Sequence, residues 1–585
     1  MSSRAKRFNL NELKRLLNLG TEDKRRFYSV IIIAILLSVV SSARPLLTGD
    51  AIDAYILHKN VADLLKICVI LGVIITMEIA LQYYFILMSN IIAQTVIEKL
   101  RIQLFNKIIQ YKLSFFDKTP NGTLVTRSVS DIETISQVFT DGILVVLGDV
   151  LRIVCIMAVM FYTNWKLALV VIVILPLMTV VTSLFQKSIK RTFSEERTQT
   201  AIFNSFVQER LSGMKIIQLF NREDAEFKKF KGINKKLRDA YLATVFYFSL
   251  LFPVVELVSS VALGLVIILG GWSAFYFKDV SPGEVIAFIM FIPMLVRPIR
   301  QMAERFNNLQ RGLVSAERVF KMMDLNETLP NKGKIEKSNI QGNILFKDVV
   351  FEYIPDEEIL KGISFEAKAG ECIAIVGATG AGKSTIINLL SRFYDIKSGS
   401  ICIDGVDIRD YSLQNLRSHI AVVLQDVFLF NDTILNNIRL GDNNISENDI
   451  VQAAKEIDIH TFIETLPGGY HYKVCERGST LSVGQRQLIS FLRAYVHKPE
   501  ILVLDEATSS IDTASENLIQ EATEKITKNR TSIIIAHRLA TIQNADKIIV
   551  MEQGKIVEMG KHQELLNQNG YYAHLYKVQF RDAQA

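Results

Sequence analysis

Two stretches in the C-terminal part of the chain carry residue types that can handle a nucleoside triphosphate. The first is Gly377-Ala378-Thr379-Gly380-Ala381-Gly382-Lys383-Ser384-Thr385. Its glycines let successive backbone N–H groups turn toward phosphate oxygens, and a helix opening there adds the positive end of its dipole. Lys383 can reach the β- and γ-phosphates, and the Ser384 hydroxyl can ligate Mg2+. An apolar strand-like run from Glu371 to Val376 precedes the loop and an apolar helix-like run follows it, the setting that a phosphate-binding loop requires. The second stretch is Ile501-Leu502-Val503-Leu504-Asp505-Glu506. Four apolar residues place its two carboxylates at the C-terminal edge of a sheet, where ligands bind. Asp505 suits the Mg2+ shell, and Glu506 suits orientation or deprotonation of an attacking water.

These groups need an α/β domain to hold them, and strand-like and helix-like segments do alternate from about residue 344 onward. The preceding part is different in kind. Six apolar runs, near 27–49, 61–92, 138–162, 167–186, 241–271 and 280–305, are each long enough to cross a ~30 Å hydrocarbon core as a helix. The 585 residues are 49% hydrophobic, too long for one core and too apolar for an ordinary soluble protein. Residues 1–26 hold eight Lys/Arg against three acids, and residues 185–240 hold thirteen against seven. The positive-inside bias therefore puts the N-terminus and the segments after spans two, four and six in the cytoplasm. Segments 93–137 and 187–240 have helical periodicity and read as cytosolic extensions of the spans. Within the first of them, Thr119-Pro120-Asn121-Gly122 punctuates as a turn and Ser130-Asp131 reads as the start of a new helix. The segment near 114–125 reads either as a simple connector or as a short helix that docks on the ATPase domain and transmits its motion. The expected organisation is a cytoplasmic segment 1–26, a six-helix transmembrane domain 27–323, a linker 324–343 and a nucleotide-binding α/β domain with a helical subdomain, 344–585. A net charge of +6 against 66 basic and 60 acidic residues gives no case for nucleic acid. The five cysteines form no CxxC or Cys/His ligand pattern.

Leu481-Ser482-Val483-Gly484-Gln485-Arg486-Gln487 resembles the signature sequence of ATP-binding cassette (ABC) transporters. That resemblance implies further roles. Tyr353 is similar to the aromatic that stacks on adenine, and Gln425 to the glutamine that touches Mg2+ and the water. Ser509-Ser510-Ile511-Asp512 resembles the loop crossing to the partner cassette, and His537 the switch histidine near the γ-phosphate. Ser482, Gly484 and Gln485 would cradle the phosphates of an ATP held by the partner's P-loop. Tyr472 to Gly478 resembles the segment through which exporters couple to membrane helices. The same resemblance implies the docking role for the segment near 114–125 and for one near 205–225. Pro45 to Asp53, Phe115-Phe116-Asp117 and Ala316 to Phe320 resemble the exporter branch in the membrane half. Membrane domain first and cassette second is a half-transporter layout, implying a dimer that works by ATP-driven alternating access in a bacterial plasma membrane. The expected cofactors are ATP and Mg2+. The expected substrate is a small amphiphile, drug-like or lipid-like, and a homodimeric lipid exporter or an ATP-gated channel is the alternative.

The signature departs from the family in having Val483 where glycine is usual and Leu488 where arginine is frequent. A branched side chain at Val483 is expected to weaken the phosphate cradle, which favours a heterodimer with one degenerate ATP site over a homodimer. Glu78, Asp149, Arg152 and Glu256 fall inside apolar runs, where a charge costs about 2.5–3.5 kcal/mol on insertion scales. Asp149 and Arg152, three apart on one helix, are expected to pair. Glu256 and Glu78 are the candidates for a cation or substrate path. Arg297 and Arg300 are expected to snorkel toward the cytosol.

Overall fold

In the computed structural model the apolar runs are long helices whose starts are written in capping residues. The structure describes residues 10–21, 23–277, 279–329, 333–505, 513–536 and 539–580. The spans run Lys24–Ile56, Val61–Ile108, Asn121–Thr163, Trp165–Ser212, Glu223–Phe277 and Pro282–Ile299, the last being the start of a helix that reaches Asp324. Asn164 caps the fourth span by accepting from the backbone N–H groups of Lys166 and Leu167 at 3.2 and 3.3 Å. Ser281 caps the sixth, accepting from Glu284 N–H at 3.1 Å, with Pro282 in the first turn where its missing N–H costs nothing. The helices Val61–Ile108, Trp165–Ser212 and Glu223–Trp272 have 48, 48 and 50 residues. At 1.5 Å per residue that is roughly 70–75 Å, more than twice the hydrocarbon thickness, so the surplus forms the cytosolic extensions.

The chain divides into two units, one of residues 1–109 and 121–326, the other of residues 110–120 and 327–585. In the membrane unit, span one packs on spans two, three and six, and span five packs on spans four and six. Ile156, Val266, Phe288, Phe291 and Leu295 are fully buried at the centre of one cluster. Val69, Ile79 and Leu257 stay exposed, as suits a surface that lipid covers. At the outer end, the Asp53 carboxylate accepts from Gly283 N–H at 2.8 Å. The two backbones meet there so closely that a Cβ on Gly283 would lie 2.2 Å from the Gly49 carbonyl oxygen. Asn164 Nδ2 donates to the Glu284 carboxylate at 3.2 Å, which sets spans three, four and six level at the same end.

Two sequence expectations fail in this unit. Asp149 does not pair with Arg152; it forms an ion pair with Arg305 on the sixth-span helix. A partner one helix over lies outside any i, i+3 rule. Ser130-Asp131 does not open a helix either. Arg127–Asp131 is a π-helical turn inside a helical run that continues from Asn121 to Thr163. Asp131 is only 4% exposed and is held by Arg127 Nη1 at 2.6 Å, Arg318 Nε at 3.0 Å and Ser315 Oγ at 3.1 Å.

The cassette unit contains β1 (Ile344–Glu352), β2 (Glu358–Ala367), β3 (Cys372–Gly377), β4 (Ser398–Ile403), β5 (Val406–Asp407), β6 (Ile420–Val423), β7 (Ile501–Asp505), β8 (Thr531–Ile535), β9 (Lys547–Glu552) and β10 (Lys555–Gly560). An antiparallel sheet has the order β2-β1-β4-β5, and a larger sheet the order β10-β9-β3-β8-β7-β6. From β9 to β6 every pair in the larger sheet is parallel. Both faces of that sheet are covered. Ala374, Val376, Leu502, Leu504, Ile534 and Val550 pack into the helical side, and Ile373, Ile375, Val503, Ile533, Ile535 and Ile549 pack toward the antiparallel sheet. Two covered faces explain why β3 and β7 read as unbroken apolar runs and not as alternating ones.

Candidate nucleotide site

Parallel pairing decides which residues meet. The C-terminal ends of β3, β8, β7 and β6 lie along one sheet edge, because Gly377 ends β3, Asp505 ends β7 opposite Ile535 of β8, and Val423 of β6 pairs with Leu504. The phosphate-binding loop therefore emerges at the same edge as Asp505 and, two residues past β6, Gln425, which is exposed. Glu506 and His537 directly follow β7 and the residue after β8 in the sequence. They lie outside the described residues, as do Ser509 to Asp512.

The loop's glycines do different jobs. Gly380 has φ +83° with nothing within 4 Å of a built Cβ, so its requirement is conformational alone. Gly377 has φ +154°, and a Cβ there would sit 2.3 Å from the Met551 carbonyl oxygen. Gly382, at φ +99°, immediately precedes the P-loop helix Lys383–Leu390. Ala378, Thr379 and Gly380 are exposed at the tip, and Ala381, Lys383 and Thr385 are buried beneath it. Lys383 Nζ donates to the carbonyls of Gly377 at 2.7 Å and Ala378 at 3.1 Å, arching over the loop. Burial lowers the Lys383 pKa from its ordinary value while the nearby Asp505 carboxylate opposes the shift. Ser384 Oγ donates to Asp505 Oδ2 at 3.3 Å. A hydroxyl and a carboxylate at that separation are the hard oxygen donors that Mg2+ takes, and Gln425 offers a third at the same edge.

Tyr353, just past β1, is 36% exposed. Its hydroxyl is tied to the P-loop helix, donating to Thr385 Oγ1 at 3.4 Å and accepting from Asn388 Nδ2 at 3.1 Å. Tyr394 stands edge-on to Tyr353 with ring centroids 5.1 Å apart. Neither Asn388 nor Tyr394 has a periodic or spacing signal that sequence reasoning could have used.

The signature lies elsewhere in the cassette. Ser482 is the N-cap of the helix Val483–Val496 in a capping box: its hydroxyl accepts from Gln485 N–H at 3.2 Å, and the Gln485 side chain accepts from Ser482 N–H at 2.9 Å. Gly484 is buried and Val483, at the first helical position, is exposed. Arg486 donates to the carbonyls of Gly478 at 3.3 Å and Leu481 at 2.8 Å, bracing the turn that leads in. The helix packs on Ile434–Arg439, Glu447–Glu456 and Thr513–Thr527, within the helical side of the cassette.

Residues 27–299 match the ABC transporter transmembrane region and residues 360–509 match the ABC transporter cassette. An ATP-dependent lipid A-core flippase of Syntrophus aciditrophicus is 35% identical over 570 residues, covering 97% of this chain and 94% of the relative. The chain belongs to the ABC transporter family. This transporter has the exporter-type half-transporter layout, and its cassette is an ATPase coupled to transport. Two further relatives are an ATP-dependent lipid A-core flippase of Desulfotalea psychrophila and a fatty acid ABC transporter ATP-binding/permease protein of Mycobacterium bovis. The first is 36% identical over 568 residues (97% of this chain, 99% of the relative), the second 37% over 483 residues (83% and 76%). With six spans and bacterial exporter relatives, the transporter is a multi-pass plasma membrane protein whose ATPase domain is cytoplasmic.

Proposed function

We propose that this transporter exports an anionic, lipid-like amphiphile, driven by ATP hydrolysis in a dimer. The observation that supports the substrate class is a surplus of arginine among the spans. Arg44 on span one pairs with Glu78 on span two at 3.4 Å, and the buried Arg44 Nε has no hydrogen-bond partner. The Arg152 guanidinium on span three interacts electrostatically with Glu78, Arg297 and Arg44. Arg152 and Arg297 have no ion-pair partner among the described residues. Counted from the Asn164–Glu284 tie, both lie roughly 18–20 Å inward, near mid-membrane. Asp149 is already committed to Arg305, so three guanidinium groups share one carboxylate. Unbalanced charge at that depth is costly, and a phosphate or carboxylate headgroup would neutralise it. The names of the relatives, lipid A-core flippase and fatty acid transporter, also point to lipids. Of the two candidates for a substrate or cation path, Glu78 pairs with Arg44 and Glu256 is exposed on span five.

In this reading Tyr353 stacks the adenine, Lys383 and the loop amides hold the phosphates, and Ser384, Asp505 and Gln425 hold Mg2+, which would neutralise charge on the leaving phosphates. Glu506 positions the attacking water, and His537 and Asp512 complete the site. Ser482, Gly484 and Gln485 act on the ATP of the other subunit. Two copies of this chain are favoured over the expected unlike pair. Val483 has a helical backbone and points outward, so glycine's freedom is not needed there and the capping box is intact. The helix Met214–Leu219 buries none of its residues, leaving Ile216 and Leu219 exposed for the docking role expected of segment 205–225.

The test is Mg-ATPase activity of this chain alone in vesicles, with anionic phosphatidylglycerol or a fatty acid added against zwitterionic and cationic amphiphiles. Anionic amphiphiles should stimulate several-fold, less so in Arg152→Gln and Arg297→Gln, and Glu506→Gln should abolish turnover. Equal stimulation by cations with unchanged arginine variants would refute the substrate class. A folded, ATP-binding chain without turnover would return the unlike partner.

A further inference from the structure

The turn between spans two and three belongs, in the structure, to the cassette unit. Tyr111 bridges Thr328, Lys112 N–H donates to the Glu327 carbonyl at 2.8 Å, and Lys112 Nζ pairs with the Glu327 carboxylate at 2.6 Å. Tyr111 and Phe115 pack with ring centroids 4.4 Å apart, fixing the near side of the helix Leu113–Lys118. At its far side the Asp117 carboxylate accepts a hydrogen bond from the Tyr394 hydroxyl. Tyr394 in turn belongs to an aromatic trio. Phe351, Tyr353 and Tyr394 stand edge to face, with centroids 4.7, 5.8 and 5.1 Å apart and interplanar angles of 89°, 68° and 90°. Three rings so locked have little freedom to move singly.

We propose that Tyr394 and Asp117 are positioning residues that report the occupancy of the base site, through Tyr353, to segment 110–120 and hence by chain continuity to spans two and three. This goes beyond docking as such: the segment responds to the nucleobase, not only to the phosphates. It rests on the reading of Tyr353 as the ring beneath the adenine. A base laid on Tyr353 fixes that ring, and its edge contact fixes Tyr394. The donor to Asp117 is then held in one orientation. Burial, and then the Asp117 carboxylate, push the Tyr394 phenol well above its usual range, so it remains a donor at any working pH. Asp117 is exposed, so its bond competes with water and depends on how well Tyr394 is held.

Hydrogen exchange of the full-length transporter in vesicles tests this, comparing Mg-ATP with Mg-tripolyphosphate, which has the phosphates and no base. In the wild type, ATP should slow exchange of backbone amides in 110–120 by about 5-fold or more beyond tripolyphosphate, the scale of one ordered charge-assisted hydrogen bond. Tyr394→Phe keeps the ring and removes the donor; Asp117→Asn removes the charge. Both should lose that difference while ATP still protects 377–385, and the double variant should be no worse than either alone, because one bond is being removed. Equal protection of 110–120 by ATP and tripolyphosphate in the wild type would overturn the proposal, as would full base-dependent protection in either variant. Protection of neither 377–385 nor 110–120 by ATP would instead remove the nucleotide-site reading beneath it, and the two failures are thus separable.

Discussion

Replacing Asp131 by asparagine removes a buried charge that joins the third-span helix to the sixth. The carboxylate is 4% exposed and accepts from Arg127 Nη1 at 2.6 Å, from Arg318 Nε at 3.0 Å and from Ser315 Oγ at 3.1 Å. Burial alone would raise its pKa, but hydrogen bonds from Arg318 and Arg127 outweigh burial and hold it below the usual carboxylate range. Breaking one side of a buried pair costs about 3–5 kcal/mol; the Arg318 side chain is 41% exposed, which brings the expectation here to about 2–3 kcal/mol. With an unfolding entropy of about 2.1 cal/mol/K per residue over some 300 residues, that lowers the midpoint of the membrane unit by about 3–5 °C. The assay is thermal exposure of Cys155, which is half-buried in span three, followed with a thiol-reactive dye in a variant retaining that cysteine alone. Because the native carboxyl is held below its unfolded value, its contribution is full above the unfolded-state pKa and fades as pH falls through the native one. Asp131→Asn should therefore cost most near neutral pH and least in acid, where the wild type loses the same charge. A midpoint within about 1 °C of wild type at pH 7 would refute the reasoning, since the noise of such midpoints is of that order against the expected shift.

Four more outcomes follow from local geometry. Gly380→Ala meets no atom and faces only a positive φ, so it should leave the fold intact and weaken nucleotide binding by about 5–30-fold, on the basis of roughly 1–2 kcal/mol of left-handed strain. Gly377→Ala places a Cβ 2.3 Å from the Met551 carbonyl and should abolish binding altogether; titration with a fluorescent ATP analogue distinguishes the two. Burial, with Asp546 and Glu371 adding to it, pushes the Cys372 thiol up to about 12, so at pH 7.5 maleimide should label Cys475, which is exposed in the cassette, well before Cys372. Val483→Gly should change ATPase activity by less than about 2-fold and cost the signature helix about 0.5–1 kcal/mol; a tenfold gain in turnover would restore the idea of a weakened phosphate cradle.

What the sequence conveyed was what local pattern can encode. Apolar length sets the spans, and unbroken apolar runs mark β3 and β7 as strands, whereas the caps Asn164 and Ser281 emerge only with the structure. The order of the strands then brings the P-loop, Asp505 and Gln425 to one edge, as expected of residues placed at strand ends. What stayed hidden depends on three-dimensional neighbours. Asp149 was assigned its partner by helix spacing, whereas Arg305 reaches it from another helix. Asp131 has the composition of a helix cap and is instead a buried hub, because Arg318 lies 187 positions away in the chain. The Tyr394–Asp117 bond spans 277 positions and has no signature in either segment.

The contact between Asp53 and Gly283 N–H occupies one of the donors that every helix start leaves over. It is a bond without side-chain redundancy, because the 2.2 Å clearance at Gly283 excludes any other residue. Parting spans one and six at their outer ends exposes that donor and the Asp53 carboxylate, and only water can then satisfy them. An outward opening by this route is therefore also a hydration reaction, and its equilibrium moves with water activity: osmolytes that are excluded from the protein surface would hold the outer ends together.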